Sequence, residues 1–120
     1  MLNLDTHILV NAVSAFLTPA EKKVLESDDW GISDIVLWEI ELLYSQGRIG
    51  FGLDNPRVMN TLRYLTIWPI TPEVCLALRR LDFRSDPVDE IIAGTSLAHD
   101  VPLVTRDARI RASKLVRFAV

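Results

Sequence analysis

Met1-Leu2-Asn3-Leu4-Asp5 opens the chain as a short apolar run that ends in a carboxylate. Pro102-Leu103-Val104-Thr105-Arg106-Asp107 repeats that arrangement near the other end. Short apolar runs of this kind read as buried strands, and helical segments between them make the strands parallel. Both carboxylates then lie just beyond the carboxyl ends of parallel strands, where open α/β sheets bind their ligands.

Strands are expected at 2–5, 30–33, 67–70, 102–105 and 116–119. The helices between them announce their starts with a polar cap followed by proline. Thr18-Pro19-Ala20-Glu21 adds a capping-box glutamate, and Asn55-Pro56, Thr71-Pro72 and Asp86-Pro87 repeat the cap and proline. The sum is an α/β fold with a mostly parallel sheet covered on both faces. No repeat or linker divides the chain, so one domain over 1–120 is expected, with Gly50-Phe51-Gly52 as a loop between helices.

With 120 residues and 49% hydrophobic content, the chain can bury a real core. The lone Cys75 cannot form an internal disulfide, and no stretch is long or apolar enough to cross a bilayer. A first strand starting at Met1 leaves no room for a signal peptide, so a cytoplasmic location is expected, away from membranes. The net charge of −3 argues against a broad basic surface for nucleic acid but does not exclude a nuclease. Residues 1–60 hold 9 acids and 4 Lys/Arg, net −5, whereas 61–120 hold 7 acids and 9 Lys/Arg, net +2. Arg106, Arg109, Arg111, Lys114 and Arg117 are either a footprint for phosphates or one face of a solvated terminal helix.

The helix expected over 34–46, ended by Gly47, carries the most telling acid. At about 100° per residue, Glu39 falls inside the arc of Ile35, Val36, Ile40, Leu42 and Leu43. A carboxylate there needs a cation, a donor or a metal, since bare burial would cost several kcal/mol or neutralise it. A buried structural ion pair is the alternative. Glu41 points elsewhere and reads as a surface acid. In Asp86-Pro87-Val88-Asp89-Glu90, helix capping alone explains all three acids. Asp89, however, lies on the edge of the apolar face of Val88, Ile91, Ile92 and Thr95, and so can reach the sheet rim. Glu90 projects from the opposite side and reads as solvated.

Asp5, Glu39, Asp89 and Asp107 therefore form a candidate site of four acids. Gathering them is costly through mutual repulsion unless a cation neutralises them. Hard divalent ions such as Mg²⁺ take oxygen ligands and keep several waters, so neither histidine nor cysteine is needed.

At these residues the chain resembles the PIN-domain ribonucleases, and among them the VapC-like toxins of toxin–antitoxin pairs. The matching pieces are Leu4-Asp5-Thr6-His7, Ser33 with Trp38-Glu39-Ile40 and Gly47-Arg48-Ile49, Asp86-Pro87-Val88-Asp89-Glu90-Ile91-Ile92-Ala93, and Leu103-Val104-Thr105-Arg106-Asp107. Each is weak alone, but they occur in order over essentially the whole chain. The resemblance implies a three-layer α/β/α sandwich and a metal-dependent endoribonuclease. Its acidic quartet falls on Asp5, Glu39, Asp89 and Asp107, all metal-binding and catalytic, with Thr6, Ser33 and Thr105 as outer hydroxyls. It further implies one or two Mg²⁺ or Mn²⁺ ions, an RNA substrate cut to 5′-phosphate and 3′-hydroxyl ends, a small VapB-like antitoxin partner and a homodimer. Relatives commonly carry a basic residue where this chain has Glu90, which bears on RNA contact and leaves the quartet intact.

The remaining singular residues are quieter. His7 and His99 read as hydrogen-bonding or helix-end residues, Cys75 as core, and Trp30, Trp38 and Trp68 as core or interface packing. The helix bearing Trp38 is apolar almost all round, which suggests burial against a second copy or a partner. A receiver-type phospho-switch is a poor reading for want of paired acids after the first strand and of a lysine between Lys23 and Lys114. A haloacid-dehalogenase-type phosphatase needs a second aspartate that Asp5-Thr6-His7 lacks. The rival that stands is a catalytically inactive PIN-like module that binds RNA or protein.

Overall fold

Every strand pairing is parallel in the computed structural model, which describes residues 1–120. The strands β1 (Leu2–Leu4), β2 (Trp30–Ser33), β3 (Thr66–Trp68) and β4 (Leu103–Val104) stand in the order β3-β2-β1-β4. From β1 the chain steps outward through β2 to β3, then returns to place β4 on the other side of β1. Right-handed connections that reverse direction in this way cover both faces with helices and give an α/β/α sandwich. The reversal also opens a crevice at the carboxyl ends of β1 and β4.

Seven α-helices make the connections: α1 (Thr6–Ser14), α2 (Pro19–Glu26), α3 (Ile35–Ser45), α4 (Pro56–Leu62), α5 (Pro72–Ala77), α6 (Pro87–His99) and α7 (Ala108–Arg111). A 3₁₀ turn over Leu78–Arg80 extends α5. Four of them start where cap and proline predicted. Thr18 and Glu21 close a full capping box on α2, and Asn55, Thr71 and Asp86 accept from backbone N–H groups of α4, α5 and α6. Each such cap is worth about 1 kcal/mol. The end of α3 is equally determined. Gly47 adopts φ +70°, and the N–H groups of Gly47 and Arg48 donate back to the carbonyls of Tyr44 and Leu43.

The core lies between sheet and helices. Leu4, Ile32, Leu103 and Val104 of the strands meet Ile8, Val36, Ile40, Ile92 and Ile110 of the helices, all inaccessible or nearly so. Asn3 is the polar exception on β1: its Nδ2 donates to the Ile92 carbonyl at 3.0 Å and to Ser96 Oγ at 2.9 Å. That pair of bonds pins α6 across the first strand.

Three expectations need correction. The fifth strand, 116–119, is reduced to one parallel bridge, Leu103 to Phe118. Its backbone still follows β4, with Leu103 N–H to the Arg117 carbonyl and Ala119 N–H to the Leu103 carbonyl. A two-residue β4 offers too little edge for a longer ladder. Cys75 is exposed and not core, because α5 buries its Val74 and Ala77 side and turns Cys75 and Leu76 outward. Glu90 is largely covered and not solvated; its Oε2 accepts from Ser85 N–H at 3.0 Å. No helix is long and apolar enough to cross a membrane.

Candidate metal centre

At the carboxyl ends of β1 and β4 lies a cleft of about 480 Å³, lined by Asp5, His7, Asn11, Glu39, Leu43, Arg48, Asp86, Asp89, Arg106 and Asp107. All four acids expected as site residues meet there, from four separate elements. A fifth carboxylate, Asp86, joins them. It was read from the sequence only as a helix cap, which it is, since its Oδ1 accepts from Asp89 N–H at 3.0 Å.

Asp5 follows β1 and caps α1, with Oδ1 accepting from Thr6 N–H at 2.8 Å. Its other oxygen accepts from Thr105 Oγ1 at 2.5 Å. The residue is only 5% exposed. Burial pushes its carboxyl above the usual range, the Thr105 and Thr6 hydrogen bonds and nearby His7 oppose the rise, and Asp107 adds to it. Asp107 sits at the matching place after β4 and caps α7 through Ile110 N–H at 3.0 Å.

Glu39 projects from α3 into the cleft, half-buried as its position in the apolar arc required. Burial raises its pKa, Asp5 and Asp86 raise it further, and the neighbouring Thr6 hydroxyl opposes them. That hydroxyl faces Glu39 without closing a hydrogen bond of good geometry, and Thr6 Oγ1 is buried with no partner. Asp89, on the first turn of α6, accepts from Ser85 Oγ at 2.7 Å. Burial, together with repulsion from Asp86, Asp5 and Asp107, pushes its carboxyl up to about 7 against the Ser85 hydrogen bond.

The three hydroxyls expected around the acids differ in position. Thr105 bridges the strand ends, for its Oγ1 donates to Asp5 and accepts from Asp107 N–H at 3.0 Å. Thr6 is the buried hydroxyl beside Glu39. Ser33, which like Thr6 and Thr105 is absent from the cleft lining, touches none of the four acids through a hydrogen bond; its Oγ accepts from Ile35 N–H at 3.3 Å at the start of α3.

Two further pairings in and around the cleft were not foreseen. Ser85, which holds Asp89, carries no sequence signal beyond preceding a cap. Glu21, read as a capping-box residue, also receives Arg106: Nε to Oε2 at 2.7 Å and Nη2 to Oε1 at 2.6 Å. Arg106 Nη2 also donates to the Phe16 carbonyl at 3.0 Å. These bonds hold the Glu21 carboxyl down at about 2. Much of the basic carboxyl-terminal segment is likewise engaged. Arg111 donates to the carbonyls of Thr105 and Val120 and sits 5.0 Å over the Phe118 ring, and Arg117 pairs with Asp100 at 3.1 Å.

The donor set suits a hard divalent cation. The cleft offers mainly carboxylate oxygens, one imidazole and no thiolate, with the unpartnered Thr6 hydroxyl buried behind its lining, a set that favours Mg²⁺ or Mn²⁺ over softer metals. No three acids, histidines or cysteines stand close enough together to enclose an ion alone. An ion here would take a minority of its ligands from the protein and the rest from water, as Mg²⁺ commonly does.

Comparison with known proteins agrees with this architecture. The PIN domain family model matches residues 3–114, from the first strand past Asp107. Ribonuclease VapC22 of Mycobacterium tuberculosis is 28% identical over 117 residues, covering 92% of this chain and 90% of that protein. A crystal structure of VapBC2 from Rickettsia felis, bound to a DNA fragment from their promoter, superposes with a TM-score of 0.71 at 19% identity, over 98% of this chain and 97% of the other. A toxin–antitoxin complex from Klebsiella pneumoniae superposes with a TM-score of 0.72 at 22% identity, over 100% and 98%. At these identities the solved structures speak for the fold, and the family model speaks for descent. With a parallel sheet whose acids meet at one crevice and a family match across nearly its full length, the chain belongs to the PIN domain family.

Proposed function

We propose that this chain is a VapC-like toxin: a Mg²⁺- or Mn²⁺-dependent endoribonuclease that hydrolyses RNA phosphodiester bonds in the cytoplasm and is restrained by a small VapB-like antitoxin. The observation that carries the reading is the convergence of Asp5, Glu39, Asp89 and Asp107, with Asp86, on one cleft. Burial and mutual repulsion raise three of those carboxyls, so the arrangement works against stability until positive charge arrives. Proteins accept such a cost at sites of function.

A bound divalent ion would supply an activated water and neutralise charge developing on the leaving oxygen. Asp5 and Asp107, tied together by Thr105, would hold it as direct ligands. Glu39 and Asp89 would serve as further ligands or accept hydrogen bonds from water at the site, with Ser85 holding the Asp89 carboxylate. Cleavage leaves 5′-phosphate and 3′-hydroxyl ends.

An apolar groove of about 560 Å³ adjoins the cleft and shares Glu39, Leu43, Arg48 and Asp86 with it. Ile35, Trp38, Leu42, Val88 and Ile91 line its far side. A partner segment laid there reaches the edge of the acids, which supports an antitoxin that covers both. Trp38, 54% exposed, offers the kind of anchor such a contact uses.

The test is cleavage of a mixed structured RNA pool by purified protein in Mg²⁺ or Mn²⁺, in EDTA, and with Asp107→Asn. Divalent-dependent cutting lost in the variant supports the nuclease. Absence of cutting together with retained RNA affinity would instead favour the inactive binding module. Co-purification with the product of an adjacent small reading frame tests the antitoxin.

A further inference from the structure

Two arginines line the acidic cleft, and their surroundings differ sharply. Arg106 is engaged on both its Nε and Nη2 sides, by the nearly inaccessible Glu21 and by the Phe16 carbonyl. Only Nη1 is left without a partner, so Arg106 cannot turn a paired-donor edge to a phosphate without abandoning a buried carboxylate, which is strongly unfavourable. Arg48 is exposed and makes neither an ion pair nor a side-chain hydrogen bond. Its backbone is nevertheless fixed, because its N–H closes the end of α3 on the Leu43 carbonyl, directly after Gly47. A rigid stem thus carries a free guanidinium at the seam between the acidic cleft and the apolar groove.

RNA entering this cleft meets five carboxylates, and its phosphates need cationic contacts beyond any bound ion. A guanidinium presents paired donors that match two phosphate oxygens and is charged at all working pH values. His7, the remaining basic group in the lining, offers a single imidazole edge and not a paired-donor fork. We infer that Arg48, and not Arg106, grips the RNA phosphate adjacent to the scissile bond on the groove side of the cleft. Arg106 instead acts as a positioning residue that ties the Thr105–Asp107 corner to α2. The inference rests on the ribonuclease reading above and adds to it the side on which the substrate backbone lies.

The experiment measures kcat and KM on a fluorophore–quencher single-stranded RNA of random sequence, at fixed Mg²⁺ and several KCl concentrations. Wild type is compared with Arg48→Ala, Arg48→Lys and Arg106→Ala, and Mn²⁺ affinity is followed by calorimetry. For Arg48→Ala the expected result is a rise in KM of roughly tenfold, as for loss of a charge-assisted contact, with kcat within about twofold and undiminished Mn²⁺ affinity. The slope of log(kcat/KM) against log salt should flatten by about 0.7, the loss of one single-strand phosphate contact. Arg48→Lys should restore the slope, and Arg106→Ala should lower kcat while leaving the slope unchanged. An Arg48→Ala slope equal to wild type, or a slope lost in Arg106→Ala instead, would overturn the assignment while leaving the ribonuclease reading standing. If wild type cuts no RNA with either metal, both fall together.

Discussion

Thr105 Oγ1 donates to Asp5 Oδ2 at 2.5 Å, joining residues 100 positions apart in the sequence. The same oxygen accepts from Asp107 N–H at 3.0 Å, so one hydroxyl sets the spacing of the two strand-end carboxylates. Thr105→Val keeps the shape and removes both bonds. We expect a stability loss of about 1.5–3 kcal/mol, the range for hydrogen bonds to charged groups. Burial raises the Asp5 carboxyl and this bond limits the rise, so its loss should push that carboxyl further up and weaken Mn²⁺ binding by about tenfold or more. Thr105→Ser should recover most of both, measured by thermal denaturation and calorimetry.

Asp89 ties stability to pH in the unusual direction for an aspartate. Its folded carboxyl titrates at about 7, above the ordinary value of 3.8. The unfolded chain therefore releases its proton first, and the metal-free protein loses stability as pH rises from about 4 through 7. Asp89→Asn should raise the free energy of unfolding in EDTA at pH 8 by on the order of 1–3 kcal/mol after discounting for partial solvent access, read as a higher thermal midpoint. The advantage should vanish below pH 4, and Mn²⁺ should stabilise wild type more than the variant. A variant less stable than wild type at pH 8 in EDTA would contradict this.

Glu21 behaves in the opposite sense. Arg106 holds its carboxyl at about 2, below the ordinary 4.5, so its contribution is fully present above pH 4.5 and disappears as pH falls through 2. Since the Arg106 side chain is 44% exposed, we expect a contribution of roughly 1–2 kcal/mol and not the full Coulombic figure. A double-mutant cycle over Glu21→Gln and Arg106→Ala should show coupling of that size at pH 7 and none near pH 2.

Gly31 on β2 lies beneath the Trp68 ring, where an added Cβ would come within 2.5 Å of two ring carbons. Trp68 in turn stacks on His99 at 5.2 Å between centroids. Gly31→Ala should displace the indole and destabilise by about 1–3 kcal/mol, as overpacking does. A shift in tryptophan fluorescence should accompany the loss.

Local chemistry accounts for what the sequence made legible. Thr18-Pro19, Asn55-Pro56, Thr71-Pro72 and Asp86-Pro87 mark helix starts because a cap oxygen and a fixed proline φ act within three residues. Glu39 was readable because the helical period alone places it among apolar neighbours. What stayed hidden depends on distant partners. Glu21 meets Arg106 across 85 positions, and nothing near either residue signals it. Cys75 departs from its expected core position because α5 is only six residues long and buries a narrower side than a full amphipathic helix. The strand at 116–119 has suitable residues but lacks a partner of sufficient length in β4.

Divalent binding and RNA cleavage, measured side by side for wild type and Asp5→Asn, decide whether the acidic cleft is a metal-dependent nuclease site. Wild type should bind Mn²⁺ and cut RNA only with metal, and both should be lost in an Asp5→Asn protein that remains folded by circular dichroism. Cutting that survives the substitution, or a wild type that neither binds Mn²⁺ nor cuts RNA, would contradict it.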